Sequence, residues 1–519
     1  MPGQDARDGS SLSTSLRPQE SFGRRLAGLA DLLGVAAPEH DASISGVTHD
    51  SHAIRAGDLY AALPGSRTHG ARFAADAVAA GAVGVLTDQT GKLLAGRLDV
   101  PLLVVETPRA RLGAVSSWIY GEPSTRMRVL GVTGTNGKTT TSYLLDAGLR
   151  AAGETTGLVG TIETRIGDIG LASARTTPEA PDLQALLALM VEHGVGSVAM
   201  EVSSHALALN RVDGTSFEVV AFSNLSQDHL DFHLNLDDYF EAKARLFTPE
   251  FAPLGVVNID DEHGRQLRRS APLATTTVST LTPDADWSVS DVATDGTGSR
   301  FVVHGPSVEM ATGIRLPGAF NISNALLAFA TLVSAGVDPR DAAAGIASVS
   351  VVPGRMEAVS AGQPFVALVD YAHTPDAVVT LLTTVRATTK GRVIVVLGCG
   401  GDRDRAKRPL MGAAAARLAD VAILTSDNPR SEEPEQIVVA LLEGAMGVAA
   451  AQRGEVIVEL DRRAAIAIAV ERARPGDVVV VAGKGHEQGQ EVGGVVHPFD
   501  DRAVLRAELA AHAHAAGTS

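Results

Sequence analysis

The chain is 519 residues long, 45% hydrophobic and 20% charged, which is material for roughly two to four globular domains with cores of their own. Its 44 basic and 60 acidic residues leave a formal charge of −16, which argues against a nucleic-acid groove or a polybasic membrane patch. A single cysteine, Cys399, excludes an internal disulfide and a cysteine-based zinc site and fits a cytoplasmic, reducing compartment. There is also no apolar run long enough to insert in a bilayer.

The opening MPGQDARDGSSLSTSLRPQE is polar and has no apolar centre like that of a signal peptide, so residues 1–24 read as a disordered leader. Beyond it, short Val/Ile/Leu-rich runs alternate with Ala-rich helical stretches, the pattern of α/β domains on parallel sheets. Residues 25–108 hold SISGVTHDSHAIRAGDLYAAL, a helical stretch from Ala71 to Ala80, and the runs AVGVLTD and PLLVVE. Residues 109–352 form a second zone and residues 353–519 a third.

In the second zone the run Met127-Arg128-Val129-Leu130 leads into GVTGTNGKTTT, so a strand ends in a glycine-rich turn and a helix begins. Gly134 and Gly137 let the backbone N–H groups of the stretch Gly134, Thr135, Asn136, Gly137, Lys138, Thr139 and Thr140 close around phosphate oxygens. Lys138 can reach the terminal phosphates and the Thr139 hydroxyl is placed for Mg²⁺, so the ligand is a nucleoside triphosphate; Val132 stands where the generic pattern has glycine. Further on, Glu201 follows the buried run VGSVAM, and His229 and Asp231 follow VVAFSNLSQD. A carboxylate and an imidazole beside a phosphate loop are candidate Mg²⁺ or water ligands.

In the third zone the strands FVALVDYA, RVIVVLG, DVAILTS and DVVVVAG are separated by helix-length segments, and three of them empty into polar clusters: GCGGDRDRAKRP, DNPRSEEP and KGHE. Ligands of an open parallel sheet bind beyond the carboxyl ends of its strands, so these clusters converge on one crevice. A dinucleotide fingerprint counted from Gly398 needs glycine at 403, where Arg403 stands. A crevice lined by Arg403, Arg430, Lys484, His486 and Glu487 suits a small zwitterion with more than one carboxylate, which arginine forks grip bidentately. Cys399 reads as incidental to it.

Between residues 43 and 505 the motifs DSHAIRAGDL, GTNGKTTT, RTTPEA, EVSSHAL, NLSQDHLDFH, YFEAKARLF, NISNALLA, VPGRME, VDYAHTPD, GCGGDRDRAKRP, DNPR and KGHE occur in this order. In this the chain resembles the Mur ligases, the ATP-dependent amino-acid-adding enzymes of peptidoglycan synthesis, and among them those that attach the third residue of the peptide. The resemblance implies an N-terminal α/β domain gripping a uridine nucleotide, a central P-loop ATPase domain with a mostly parallel sheet, and a C-terminal Rossmann-like domain for the amino acid.

It also implies roles. Lys138, Glu201, His229 and Lys243 are the catalytic set; Lys243 matches the lysine that CO₂ converts to a carbamate (N6-carboxylysine), and with Thr139, Glu201 and His229 it would hold Mg²⁺. Asn321, Asn324, Arg355 and Asp370 complete the ATP site. Ser51, Ser66, Arg67, Thr68, Thr176, Thr177, Ser203 and Arg211 would bind UDP-MurNAc-L-Ala-D-Glu, with His52 standing where an arginine is common and Leu209 where many relatives have glutamine. Arg403, Asp427, Asn428, Pro429, Arg430, Gly483 and Glu487 would bind meso-diaminopimelate, whose second carboxylate suits the fixed guanidinium of Arg430.

The implied reaction is ligation through an acyl phosphate by a monomer. An L-lysine-adding enzyme, a folylpolyglutamate-synthetase-like ligase and a P-loop nucleotide switch are the alternatives, separated by whether ATP hydrolysis needs the UDP-muramoyl dipeptide and an amino acid together.

Overall fold

A computed structural model describes residues 17–20, 22–173, 175–295 and 297–517. The first sheet is parallel throughout, in the order β1 (Gly46–Thr48), β2 (Asp58–Ala61), β3 (Gly84–Thr87), β4 (Leu102–Val104). Successive side chains point to opposite faces. Leu59 and Leu86 therefore pack with Leu26 and Leu29 of the helix Leu26–Leu33, while Tyr60 and Val85 pack with Ala74 and Ala77 of the helix Ala74–Ala79. The first core runs past the expected boundary at residue 108. The helix Pro108–Ile119 contributes Leu112, Val115 and Ile119 to it, and Ala180, Ala185 and Ala188 of the helix Ala180–Glu192 join from the central zone.

Of the expected leader, residues 1–16 and 21 lie outside those described, but from Arg17 the chain is tied down. Arg17 pairs with Asp58, whose fully buried carboxylate also accepts the Arg55 N–H at 2.8 Å. The N–H groups of Gln19 and Glu20 donate to Glu192 at 3.1 and 2.6 Å. Arg17→Ala leaves a buried carboxylate short of its cation and is expected to cost about 2 kcal/mol. A urea midpoint equal to that of the parent protein would show that this segment carries no stability.

The central sheet has eleven strands: β5 (Arg128–Thr133), β6 (Thr156–Val159), β7 (Glu163–Ile166), β8 (Ile169–Ala172), β9 (Ser197–Glu201), β10 (Val219–Phe222), β11 (Leu254–Asn258), β12 (Ala274–Ser279), β13 (Trp287–Asp295), β14 (Gly298–Gly305) and β15 (Val308–Ile314). Their order is β15-β14-β13-β12-β11-β10-β5-β9-β6-β7-β8, parallel from β13 to β6 and antiparallel at both edges. Both faces of the parallel part are covered, which is why its strands read as unbroken apolar runs. Leu130 and Val132 face the helices Lys138–Ala151 and Phe320–Ser334, and Val129 and Val220 face Leu183, Leu187 and Phe217.

The third sheet runs β16 (Glu357–Ala358), β17 (Val366–Asp370), β21 (Val478–Ala482), β18 (Val393–Cys399), β19 (Val421–Ser426), β20 (Glu455–Val458), and is parallel except for β16. The four expected strands form its middle, with helices on both faces in the doubly wound manner. A separate hairpin, β22 (Gly489–Val492) and β23 (Val495–Pro498), follows β21. The helix Arg462–Arg472 opens on a fully buried guanidinium. Arg462 donates to both Asp501 oxygens at 2.8 and 2.7 Å and to the carbonyls of Ser426 (3.3 Å) and Ala482 (3.0 Å), the last residues of β19 and β21. Among the described residues, no helix is long and apolar enough to cross a membrane.

Candidate active site

The phosphate loop follows β5 at the middle of the central sheet, and its glycines sit where side chains cannot. Gly134 has φ 140° and a Cβ there would lie 2.0 Å from Ser223 Oγ; Gly137 has φ 88° and a Cβ there would lie 2.3 Å from Asn324 Oδ1. Gly137 thus brings the helix Phe320–Ser334 against the loop. Asn321 stands one layer back. It does not line the cavity but accepts the Asn324 amide at 3.0 Å and donates to the Pro317 carbonyl at 2.7 Å, so it positions Asn324.

Around the loop lies a cavity of about 470 Å³, lined from the central sheet by Asn136, Lys138, Thr139, Glu201 and His229 and from the third by Arg355 and Asp370. Thr139 Oγ1 donates to Glu201 at 3.0 Å and accepts Arg355 Nη2 at 3.0 Å, which ties the C-terminal zone to the loop. The Arg355 guanidinium lies 4.4 Å over the Tyr371 ring. Asp370 accepts the N–H groups of Met356 (2.7 Å) and Ala372 (2.8 Å), which fixes the turn that carries Arg355.

Lys138 Nζ donates to the carbonyls of Gly134 and Thr135 at 2.9 Å each, and Lys243 Nζ donates to the same Gly134 carbonyl at 2.8 Å. Two ammonium groups on one neutral oxygen repel, and Lys243 is 1% exposed. Burial first, then the nearby Lys138, hold its pKa well below the ordinary lysine value, so a neutral amine is available there.

His229, in the left-handed region at φ 55°, stands 3.4 Å from Asp228. Burial, partly offset by Asp228, pushes its imidazole down to about 3, so it is neutral at pH 7. Asp228 is the hub of the domain contact: His373 Nε2 lies 3.8 Å and Lys407 Nζ 3.9 Å from it, both from the C-terminal zone. Burial raises the Asp228 pKa, but the adjoining His229, His373 and Lys407 side chains and the His229 N–H prevail and bring it to about 2. Gln227 adds a bond to Asp404 at 3.3 Å.

Asp228, His373, Lys407 and Thr161 escape a sequence reading. Thr161 holds both Glu201 oxygens, through its N–H at 2.8 Å and its hydroxyl at 3.0 Å. The signal that could have found Asp228 is its place beside His229 at a strand end. Asp231 does not line the cavity.

Thr139 and Glu201 offer hard oxygen donors in contact with each other, which suits Mg²⁺. Among the described residues no group of three or more His, Cys, Asp and Glu has metal-binding geometry.

The expected substrate residues fall into two groups. Thr176, Thr177, Ser203 and Arg211 gather around the end of β9. The Thr177 hydroxyl donates to the Glu201 carbonyl at 2.9 Å and accepts the Ser203 N–H at 3.1 Å; Thr176 meets Thr161 at 3.0 Å; and Arg211 pairs with Glu179 at 2.8 Å. Ser66, Arg67 and Thr68 are exposed in the loop after β2, with Ser51 half-buried before that strand and His52 exposed beside it.

The expected amino-acid residues cluster at the ends of β19 and β21. Arg430 has φ 54°; its Nη1 donates to the Gly401 carbonyl at 2.6 Å and its Nε lies 3.4 Å from Glu491. Glu432 pairs instead with Arg408 (2.8 Å) and Arg405 (3.0 Å). Asn428 donates to Glu487 at 2.7 Å, and a Cβ on Gly483 would lie 2.4 Å from Asp427. Arg403 is exposed beside them. Lys484 does not line a crevice: it is fully buried, bonded to Asn428 at 2.9 Å and Glu487 at 3.0 Å, because three polar partners compensate its charge. Cys399 ends β18, buried against Met411.

Three family descriptions match in order: "Mur ligase family, catalytic domain" over residues 43–117, "Mur ligase middle domain" over 132–332, and "Mur ligase, glutamate ligase domain" over 354–485. The chain is 56% identical over 492 residues to UDP-N-acetylmuramoyl-L-alanyl-D-glutamate--2,6-diaminopimelate ligase of Streptomyces avermitilis, covering 94% of this chain and 97% of that one. It is 50% identical over 481 residues to the protein of that name from Corynebacterium glutamicum, covering 90% and 92%. A solved structure of a protein so named superposes with a TM-score of 0.64 at 33% identity, covering 91% of this chain and 96% of that one. With the phosphate loop, the buried lysine and the doubly wound third sheet in place, the chain belongs to the Mur ligase family.

Proposed function

We propose that the protein adds meso-diaminopimelate to the D-glutamate γ-carboxylate of UDP-MurNAc-L-Ala-D-Glu with hydrolysis of ATP, in the cytoplasm. The observation that carries the choice of amino acid is Arg430. Its guanidinium is lightly engaged while Glu432 is committed to Arg408 and Arg405, so free N–H groups remain for a distal carboxylate. Lysine, ending in an ammonium, would be repelled there.

In this mechanism the γ-carboxylate attacks the γ-phosphorus of ATP and ADP leaves; the amine then attacks the acyl carbon, phosphate leaves, and the amide forms. Lys138 faces the transferred phosphoryl group, and the loop N–H groups orient the phosphates. Thr139, Glu201, His229 and a carbamate on Lys243 would hold Mg²⁺, which supplies charge neutralisation. Thr161 keeps the Glu201 carboxylate turned to the cavity. Asp228, His373 and Lys407 hold the C-terminal zone over it, which keeps water from the acyl phosphate. Ser51, Ser66–Thr68, Thr176, Thr177, Ser203 and Arg211 are assigned to the UDP substrate.

ATP hydrolysis is expected to need the UDP-muramoyl dipeptide and diaminopimelate together. Arg430→Ala should raise KM for diaminopimelate about tenfold or more, the loss of one charged hydrogen-bond partner, with KM for ATP near its parent value. Efficient incorporation of L-lysine by the parent protein, or unchanged diaminopimelate kinetics in the variant, would sink the assignment.

A further inference from the structure

The loop that ends in Arg430 is bonded to a second element beyond β21. Three of its four residues are bonded to the exposed hairpin of β22 and β23. Gln490 Nε2 donates to the Asp427 carbonyl at 2.7 Å, and the Glu491 N–H donates to Asn428 Oδ1 at 3.0 Å. The Arg430 N–H donates to the Glu491 carbonyl at 3.0 Å, and the Gly493 N–H donates to the Arg430 carbonyl at 2.7 Å. Arg430 and Val492 thereby form a parallel bridge. This clamp grips a non-glycine residue in the left-handed region, a conformation that a bare loop would leave. The Glu491 carboxylate adds a third hold, 3.4 Å from Arg430 Nε, while Gly401 accepts from Nη1. These contacts engage Nε and Nη1 from two sides, and among the described residues Nη2 makes no hydrogen bond.

We propose that β22 and β23 are a specificity-determining element in which Gln490 and Glu491 are positioning residues for Arg430, fixing the guanidinium for the distal carboxylate of the incoming amino acid. The inference rests on the assignment of Arg430 to amino-acid binding. The hairpin carries little else: its outer residues Val495 and Val496 are exposed, and its two strands bond to each other and to this loop. A substrate whose far end lacks a carboxylate gains nothing from a fixed guanidinium, so the hairpin acts on selectivity more than on turnover.

The test is a double-mutant cycle on the full-length protein with diaminopimelate as the varied substrate. Glu491→Ala is expected to raise its KM about fivefold, the upper range for a partly exposed ion pair, and Gln490→Ala with Glu491→Ala about tenfold. The kcat and the KM for ATP should stay within about twofold, with Glu491→Gln falling between parent and alanine. In an Arg430→Ala background the same changes should have no further effect, because they act through that side chain. A loss that adds in full to that of Arg430→Ala, or an unchanged diaminopimelate KM in a folded double variant, overturns the proposal. If the parent protein adds a different amino acid, the functional assignment fails instead, and the same cycle run with that amino acid still decides the role of the hairpin.

Discussion

Lys243→Ala is expected to lower kcat by about a hundredfold or more, the scale on which removal of one preorganised charge-stabilising group acts, while ATP binding through the phosphate loop stays near that of the parent protein. The argument starts from burial. Lys243 has no carboxylate partner among the described residues, sits on a carbonyl it shares with Lys138, and is driven toward the neutral amine that CO₂ requires. The proposed carbamate would place an anion beside Lys138 at a position where a second buried cation is disfavoured, so the pair would become a favourable one. Single-turnover kinetics and nucleotide binding would separate the two effects. An alanine variant that turned over normally in CO₂-stripped buffer would remove Lys243 from the mechanism.

Arg462→Ala is expected to destabilise the protein by about 3 to 5 kcal/mol, because it leaves Asp501 buried without its cation. In a body the size of the C-terminal zone this corresponds to a fall in Tm of about 10 °C, read by thermal denaturation. Arg462→Lys should recover little, since a point charge cannot supply the paired bonds to Asp501 along with those to Ser426 and Ala482. Those carbonyls directly precede Asp427 and Gly483, so KM for diaminopimelate should rise in the same variant. A melting temperature within about 2 °C of the parent would mean that the pair is replaceable by packing.

What the sequence disclosed was set by range. The phosphate loop is legible because strand, glycines, lysine and threonine lie within one turn of chain and each has a local physical reason. The parallel strands are legible because burial on both faces writes unbroken apolar runs. Lys484 was misplaced because a lysine after a strand looks like a crevice residue until Asp427, Asn428 and Glu487 are seen around it. Thr161 and the ring about Asp228 were silent because their partners lie 40 or more residues away. Arg17 was read as part of a leader because its partner Asp58 belongs to another segment, and nothing near Arg17 announces it.

The lysine, carboxylate and imidazole of the phosphoryl site stand at the strand ends of one sheet, and the amino-acid cluster stands at those of another. The two are therefore separable by transplantation. A chimera receiving the DNPR loop and the hairpin Gly489–Pro498 of a relative with another preference would exchange its amino acid without touching the residues around Lys138. The loop after β18 is the exception. Arg403 is a proposed amino-acid ligand, but Asp404 in the same loop and Lys407 at the start of the following helix reach across to Gln227 and Asp228. A donor segment that changed all three would swap the ligand and unlatch the domain at once, so the graft must stop at Arg403.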